Sequence, residues 1–464
     1  MKMNWEQLLS NKRLGQENQP QSKDDRTEFQ RDYDRIIFSA PFRRLQNKTQ
    51  VFPLPGSIFV HNRLTHSLEV SSVGRSLGNE DTDSTLLRDL VHALGKLLAL
   101  HPHLADTHLS ELGSIVSTAC LAHDLGNPPF GHSGERAIGT YFSEGKGLYL
   151  RDYVCPETGD RLTPEQWSDL INFEGNANAF RLLAHHFLGR RPGGFVMTYS
   201  TLASIVKYPY TSDLSKSKHK FGFFRDDVEI FNRIANELGI IPLESPEGSY
   251  RYVRYPLVYL VEAADDICYQ VMDIEDAHKL KILTTEETKR LLLDFFSAEE
   301  QHHINERMSM LDDINEQIVY LRSCVINCLE NECVQVFVRN EEAILSGTFE
   351  GCLIRHISDT PRKAYEKCCQ VAVSKIYHCK EVVDIEIAGF QVMLALVDMM
   401  VHAVTHSNKA FSQLLINRVS PQYDIKAPTL YGRLMAVLDY ISGMTDVYAL
   451  DLYRKIKGNS LPAV

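Results

Sequence analysis

The stretch "ELGSIVSTACLAHDLGNPPFGHSGE" (111–135) restricts what this chain can become more than any other. Leu112, Ile115, Val116, Ala119 and Cys120 recur at helical spacing and form one apolar stripe. Gly126 offers a helix C-cap, and Pro128 and Pro129 stop the helix from continuing. A buried helix must therefore end just after His123 and Asp124, with both in its last turn. Beyond the stiffened loop stand His132 and Glu135, so four ionisable or metal-binding groups surround one rigid turn.

The remaining periodic segments also recur at helical spacing, which predicts an all-α protein. "LTTEETKRLLLDFF" opens with Thr284 three residues before Glu287, a capping box, and 297–345 continues helically. Alternating strands are scarce, and "FVMTYSTLASIV" (195–206) is the one candidate for a small β-hairpin. Segments 141–166 and 208–220 read as loops or insertions, the second as a flap. With 464 residues, the chain can hold two or three domains or one large one. We expect a helical core with its N-terminal segment over 1–280 and a helical C-terminal portion over 281–464.

The longest apolar run, 388–404, carries Asp398 and His402 and is shorter than a membrane span, so a buried helix is expected there and no membrane partner. No apolar leader opens the chain, and the ten cysteines contain no CxxC pair, which predicts a reduced, cytoplasmic protein. The net charge of −11, from 49 basic and 60 acidic residues, argues against a surface built for nucleic acid. Anionic ligands must be met locally, with 31–48 and "KSKHK" (216–220) as candidates.

A single His-Asp pair is a weak signal, but other polar groups can converge on it. In "HNRLTHSLEV" (61–70), Arg63 and His66 share a helical face. In "LVEAADDICYQVMDIEDA" (260–277), Asp265, Tyr269 and Asp273 fall within roughly 80° on an otherwise apolar helix. An inward carboxylate there needs a partner. A divalent metal would supply it, because His66, His123, Asp124 and Asp265 make a mixed nitrogen and oxygen set with room for water or phosphate. That set favours Mn, Fe, Co, Ni or Zn and leaves magnesium the less natural choice. The alternative is an ion-paired helical core without metal.

The order His, His-Asp, Asp resembles the HD superfamily of metal-dependent phosphohydrolases. "RDYDRIIFSAPFRRLQNKTQVF", "NRLTHSLEV", "HDLGNPPFGHSGE", "NFEGNA", "TLASIVKYP", "EAADDICY" and "LDYISGMTD" together resemble the deoxyguanosine triphosphate triphosphohydrolase (dGTPase) family, from about residue 25 to 450. The resemblance implies an HD-domain helical core that hydrolyses a deoxynucleoside triphosphate, dGTP first among them, to deoxynucleoside and tripolyphosphate. It implies His66, His123, Asp124 and Asp265 as ligands of one divalent metal per subunit, and His132 and Glu135 as the catalytic pair. The family and its vertebrate relative with a SAM domain suggest Gln50 and Asp273 for the sugar 3′ hydroxyl and Tyr269 packed on the sugar. They further suggest Arg63, Lys207 and Tyr208 for phosphates, with Asn127 nearby. A homo-oligomer, often a hexamer, and a nucleotide or single-stranded DNA effector are also implied.

Bacterial members commonly read Arg-Thr-Arg-Leu-Thr-His before the first ligand, whereas this chain reads His61-Asn62-Arg63-Leu64-Thr65-His66 and lacks one arginine. The residues are also compatible with two other readings: a different HD nucleotide phosphohydrolase or phosphodiesterase, and a non-catalytic nucleotide-sensing or nucleic-acid-binding HD scaffold.

Overall fold

The structure is a computed structural model and describes residues 2–17, 25–52, 60–78, 101, 111–156, 158–215 and 219–460. Lys216, Ser217 and Lys218 of the expected flap lie outside the described residues. The chain is all-α. Strand-like pairing among the described residues is confined to isolated bridges such as Arg13 with Thr198 and Thr49 with Asn62.

The helix Leu112–Ala122 is buried nearly all round, more than a single stripe requires. It packs against Arg63–Gly78 and Glu28–Ile37, and Val258–Lys279 packs on both it and Arg63–Gly78. His123 is its C-cap, still right-handed at φ −59°, and Asp124 follows in the turn. Gly126, expected as the cap, has another role. A Cβ there would lie 2.1 Å from the Gly175 carbonyl oxygen and from the Ala179 nitrogen. The loop passes so close to the helix Gly175–Ala184 that no side chain fits.

The expected hairpin at 195–206 is absent, and Tyr199–Ser204 forms a short helix instead. Thr198 caps it by accepting from Thr201 N–H, and Asp32 accepts both the Thr198 amide at 2.9 Å and its hydroxyl at 2.7 Å. Residues 199–204 are all buried, so the alternation that suggests a strand has no solvent face to serve, and the cap prevails over β-propensity. Thr284 caps Thr285–Leu293 as expected by accepting from Glu287 N–H. The Glu287 carboxylate pairs with Lys375 at 2.7 Å. Segment 297–345 is helical in three pieces, Ala298–Met308, Ile314–Arg339 and Glu341–Ser346.

Of the expected loop 141–166, the start is the end of Gly131–Ser143, and a 3₁₀ turn over Lys146–Arg151 follows. The apolar run 388–404 lies in the helix Lys380–Thr405, which is long and apolar enough to cross a membrane. Half of its most apolar window is buried, and it packs against Gly131–Ser143, Ala410–Arg418, Leu430–Ser442 and Asp446–Ile456.

Two apolar clusters result. One gathers residues between Met3 and Val382, including the helix that ends at His123 and most of the apolar side chains of Val258–Lys279. The other runs from Ala137 to Leu452 and holds the helix that carries His132. The two faces of the candidate site therefore belong to different packing units, and a cleft of about 1110 Å³ opens between them.

Replacing Gly126 by alanine forces its Cβ against backbone that cannot rotate away. Overpacking of this kind costs typically about 1–3 kcal/mol. We expect urea denaturation of Gly126→Ala to show a loss of that order, and an unchanged midpoint would refute the close-approach account.

Candidate metal and catalytic site

Residue Arg63 opens the helix Arg63–Gly78. Its start is pinned reciprocally, as Asn62 Oδ1 accepts from Thr65 N–H at 2.9 Å and Thr65 Oγ1 from Asn62 N–H at 3.1 Å. Arg63 and His66 then point the same way. Arg63 Nη1 donates to Asp124 Oδ2 at 2.8 Å, and His66 Nε2 lies 3.1 Å from Asp265 Oδ1.

His123 donates from Nδ1 to the Cys120 carbonyl at 2.6 Å, which orients the ring with Nε2 toward the carboxylates. That nitrogen lies 3.4 Å from Asp265 Oδ1 and 3.7 Å from Asp124 Oδ1. His66, His123 and Asp124 each present one ligand atom within 4.8 Å of the others, so these three could hold a metal ion. Asp265 faces both imidazoles from Val258–Lys279. Burial would raise the Asp265 carboxyl, but His123 and His66 hold it well below the usual range. Burial likewise opposes the charge on Asp124, and Arg63 with the two histidines outweighs it.

His132, exposed over 71% of its side chain, stands in the cleft wall and bonds through Nδ1 to Glu135 Oε2 at 2.8 Å. Glu135 is buried, and its other oxygen accepts from Gly175 N–H at 2.8 Å. Burial would raise the Glu135 carboxyl, yet the bond and charge of His132, the charge of Lys220 and the Gly175 amide bring it down to about 2. The bond to Glu135 in turn raises His132. An ionised Glu135 can only accept, so the His132 Nδ1 carries the proton.

Gln50, Arg63 and Tyr269 also line the cleft. Gln50 Oε1 is buried there without a hydrogen-bond partner. Tyr269 stands edge-on to His66, ring centroids 6.2 Å apart. Asp273 lies behind this wall, receives the Tyr377 hydroxyl at 2.6 Å, and is pushed by burial up to about 8. Asn127 turns its amide to Asp124. Lys207 pairs with Glu262 at 3.3 Å and lies over the Tyr208 ring, and neither Lys207 nor Tyr208 is part of the cleft lining.

Three groups of the cleft escape a reading of the sequence for site residues. Lys220 pairs with Glu174 and stands 3.9 Å from Glu135. Its signal is the basic stretch 216–220, an anion-site candidate that singles out no one residue. Glu174 caps Gly175–Ala184, and "NFEGNA" contains it. Tyr377 follows a π-helical turn at Ala372–Ile376, for which the sequence pattern has no cue.

The departure at position 61 has a structural reading. His61 is buried with Nδ1 2.9 Å from Asp276 and Nε2 3.1 Å from Glu69, and it lies outside the cleft wall. Burial works against its charge, but the bonds to Asp276 and Glu69 raise it to about 10.

The helical scaffold carries a His-His-Asp group able to hold a metal and a His–Glu pair, and the comparisons that follow make the chain a hydrolase of the HD phosphohydrolase type. Residues 356–455 match the family model described as phosphohydrolase-associated domain. A protein from Synechocystis sp. named deoxyguanosinetriphosphate triphosphohydrolase-like is 37% identical over 99% of this chain and 100% of its own length. A Pseudomonas aeruginosa protein of the same name is 35% identical over 99% of this chain and 100% of its own. A Klebsiella pneumoniae deoxyguanosinetriphosphate triphosphohydrolase is 30% identical over 92% and 93%. The chain belongs to the dGTPase family of HD-domain phosphohydrolases. Membership implies dependence on a divalent metal and a nucleotide substrate.

Because the pKa of His61 rises on folding, from about 6.5 in an unfolded chain to about 10, its contribution is complete below pH 6.5 and fades as pH climbs toward 10. Urea denaturation of the wild type and His61→Asn should show a stability gap that narrows from pH 6 to pH 10. A gap independent of pH would remove the charged pairing.

Proposed function

We propose that this protein is a metal-dependent deoxynucleoside triphosphate triphosphohydrolase that acts on dGTP among its substrates and releases deoxynucleoside and tripolyphosphate. The observation that carries this reading is the His132–Glu135 pair, an exposed imidazole backed by a buried carboxylate, in a cleft whose wall also includes Arg63. The donor chemistry fits a divalent transition metal, with His66, His123, Asp124 and Asp265 as its ligands. When bound, the metal would polarise the α phosphate and lower the pKa of a water.

The residues of the chain do the rest. His132 donates a proton to the departing 5′ oxygen through Nε2, and Glu135 holds its Nδ1–H and stabilises the imidazolium from which that proton leaves. Arg63, with an unpartnered buried Nε, and Lys220 offer positive charge to phosphate oxygens, so a chain of net charge −11 meets its anionic substrate locally. Asn127 supports the phosphate end through its bond to Asp124. Gln50 Oε1 accepts the sugar 3′ hydroxyl, with Asp273 behind it, and Tyr269 closes on the ring so that a 2′ hydroxyl has no space. A cytoplasmic homo-oligomer, hexameric as the family suggests and open to a nucleotide or single-stranded DNA effector, completes the reading.

Incubation of Mn²⁺-loaded protein with each of the four dNTPs and with GTP, followed by product identification, tests the reaction. Tripolyphosphate from dGTP, with GTP cleaved far more slowly, is expected. Orthophosphate or pyrophosphate would point to a different HD phosphohydrolase, and equal rates on GTP would remove the sugar pocket. His132→Ala should keep its metal and bind dNTP while kcat falls about 10²- to 10⁴-fold, the usual contribution of a positioned general acid. Loss of metal together with activity would make His132 a ligand instead.

A further inference from the structure

The motif "LDYISGMTD" ends at Asp446, a residue the proposed chemistry does not use. Asp446 is buried and opens the helix Asp446–Ile456. Its two oxygens accept from two backbone amides remote in sequence. Oδ1 takes Phe130 N–H at 2.9 Å, across 316 residues, and Oδ2 takes Thr49 N–H at 2.8 Å. Both amides belong to cleft-lining residues, Thr49 beside Gln50 and Phe130 two residues before His132.

Phe130 is the N-cap of Gly131–Ser143, with φ 62° and ψ 19°. That left-handed conformation is unfavourable for a residue with a Cβ and persists only where the surroundings enforce it. No side chain caps this helix, so the direction in which His132 leaves the turn depends on what holds Phe130. Its ring lies against Gly389 of Lys380–Thr405, where an added Cβ would come within 2.5 Å of Phe130 Cβ. Its N–H is held by Asp446. Buried Lys48 reinforces the arrangement by donating to the carbonyls of Asn127 and Ser442, so segment 442–446 grips both ends of the 127–130 turn.

We propose that Asp446 is a positioning residue, whose carboxylate locks the Phe130 turn and thereby aims His132 into the cleft. The kinetic part rests on the function proposed above, and the structural part does not. Asn at this position keeps the shape but leaves one acceptor oxygen, so an –NH₂ group would face one of the two amide N–H groups.

In Asp446→Asn, kcat should fall about 10- to 100-fold, a loss typical of a small misplacement of a reacting group, with KM and metal content changing far less. Because the effect passes through His132, the double variant His132→Ala/Asp446→Asn should turn over no more slowly than His132→Ala alone. Hydrogen exchange supplies a readout that needs no substrate. The amides of residues 130–133 should lose protection in Asp446→Asn while those of Leu112–Ala122 keep theirs. Multiplying rate losses in the double variant would overturn the proposal, and so would unchanged protection at Phe130. Joint loss of helical dichroism and metal would make Asp446 a purely structural residue and would equally overturn it. A wild-type protein that cleaves no dNTP defeats the proposed function instead, and the exchange result then decides the positioning role on its own.

Discussion

Charged side chains withdrawn from water must find partners, and the helices around this cleft are arranged to provide them. Asp124 meets Arg63 from the helix Arg63–Gly78. Asp265 faces His66 and His123 from Val258–Lys279. Glu135 collects His132, the Gly175 amide and Lys220. Deleting one partner of a buried pair typically costs about 3–5 kcal/mol, because the other charge is left stranded. Helices far apart in sequence are thereby held in one relative placement. The same rule operates outside the cleft, where Arg181 takes Asp439 in a two-pronged contact at 2.8 and 2.9 Å and also reaches Asp227 at 3.4 Å. That cluster binds Gly175–Ala184 to Leu430–Ser442.

The cleft exists because the apolar packing comes in two parts. The helix ending at His123 is buried in one cluster, and the helix bearing His132 is buried in the other. Neither cluster fills the seam, so polar groups from both can face a common space without either core losing its packing. A rigid turn has to join the two, and the sequence from Gly126 to Gly131 supplies it. Gly126 brings the chain into contact with Gly175–Ala184, the prolines stop the first helix, and Phe130 turns left-handed to start the next. The offset between His123 and His132 follows from that turn.

Much of this was legible in the sequence. The helical class follows from the apolar period, because that period reports which face of a segment is buried whatever it is buried against. The end of the helix at 122–123 follows from local chemistry, and Asp265 was legible as a carboxylate on an apolar helix in need of a partner. The segment 195–206 misled because its alternation resembles a half-buried strand, while its actual surroundings are buried on all sides. Gly126 has the local signature of a cap, whereas its small size serves a contact with a helix some fifty residues later in the chain.

The sequence by itself determined the properties that depend on a few neighbouring residues: helical periodicity, a helix stop ahead of the prolines, and the residue types that can carry metal and proton chemistry. Only the tertiary structure decided which of them meet. It drew Lys220 and Tyr377 into the cleft wall and gave Lys207 to Glu262. It enclosed His61 between Asp276 and Glu69, and it set a carboxylate from residue 446 on the turn at 130. Such pairings are chosen by desolvation and by the fit of remote surfaces, and neither quantity exists until the chain has packed.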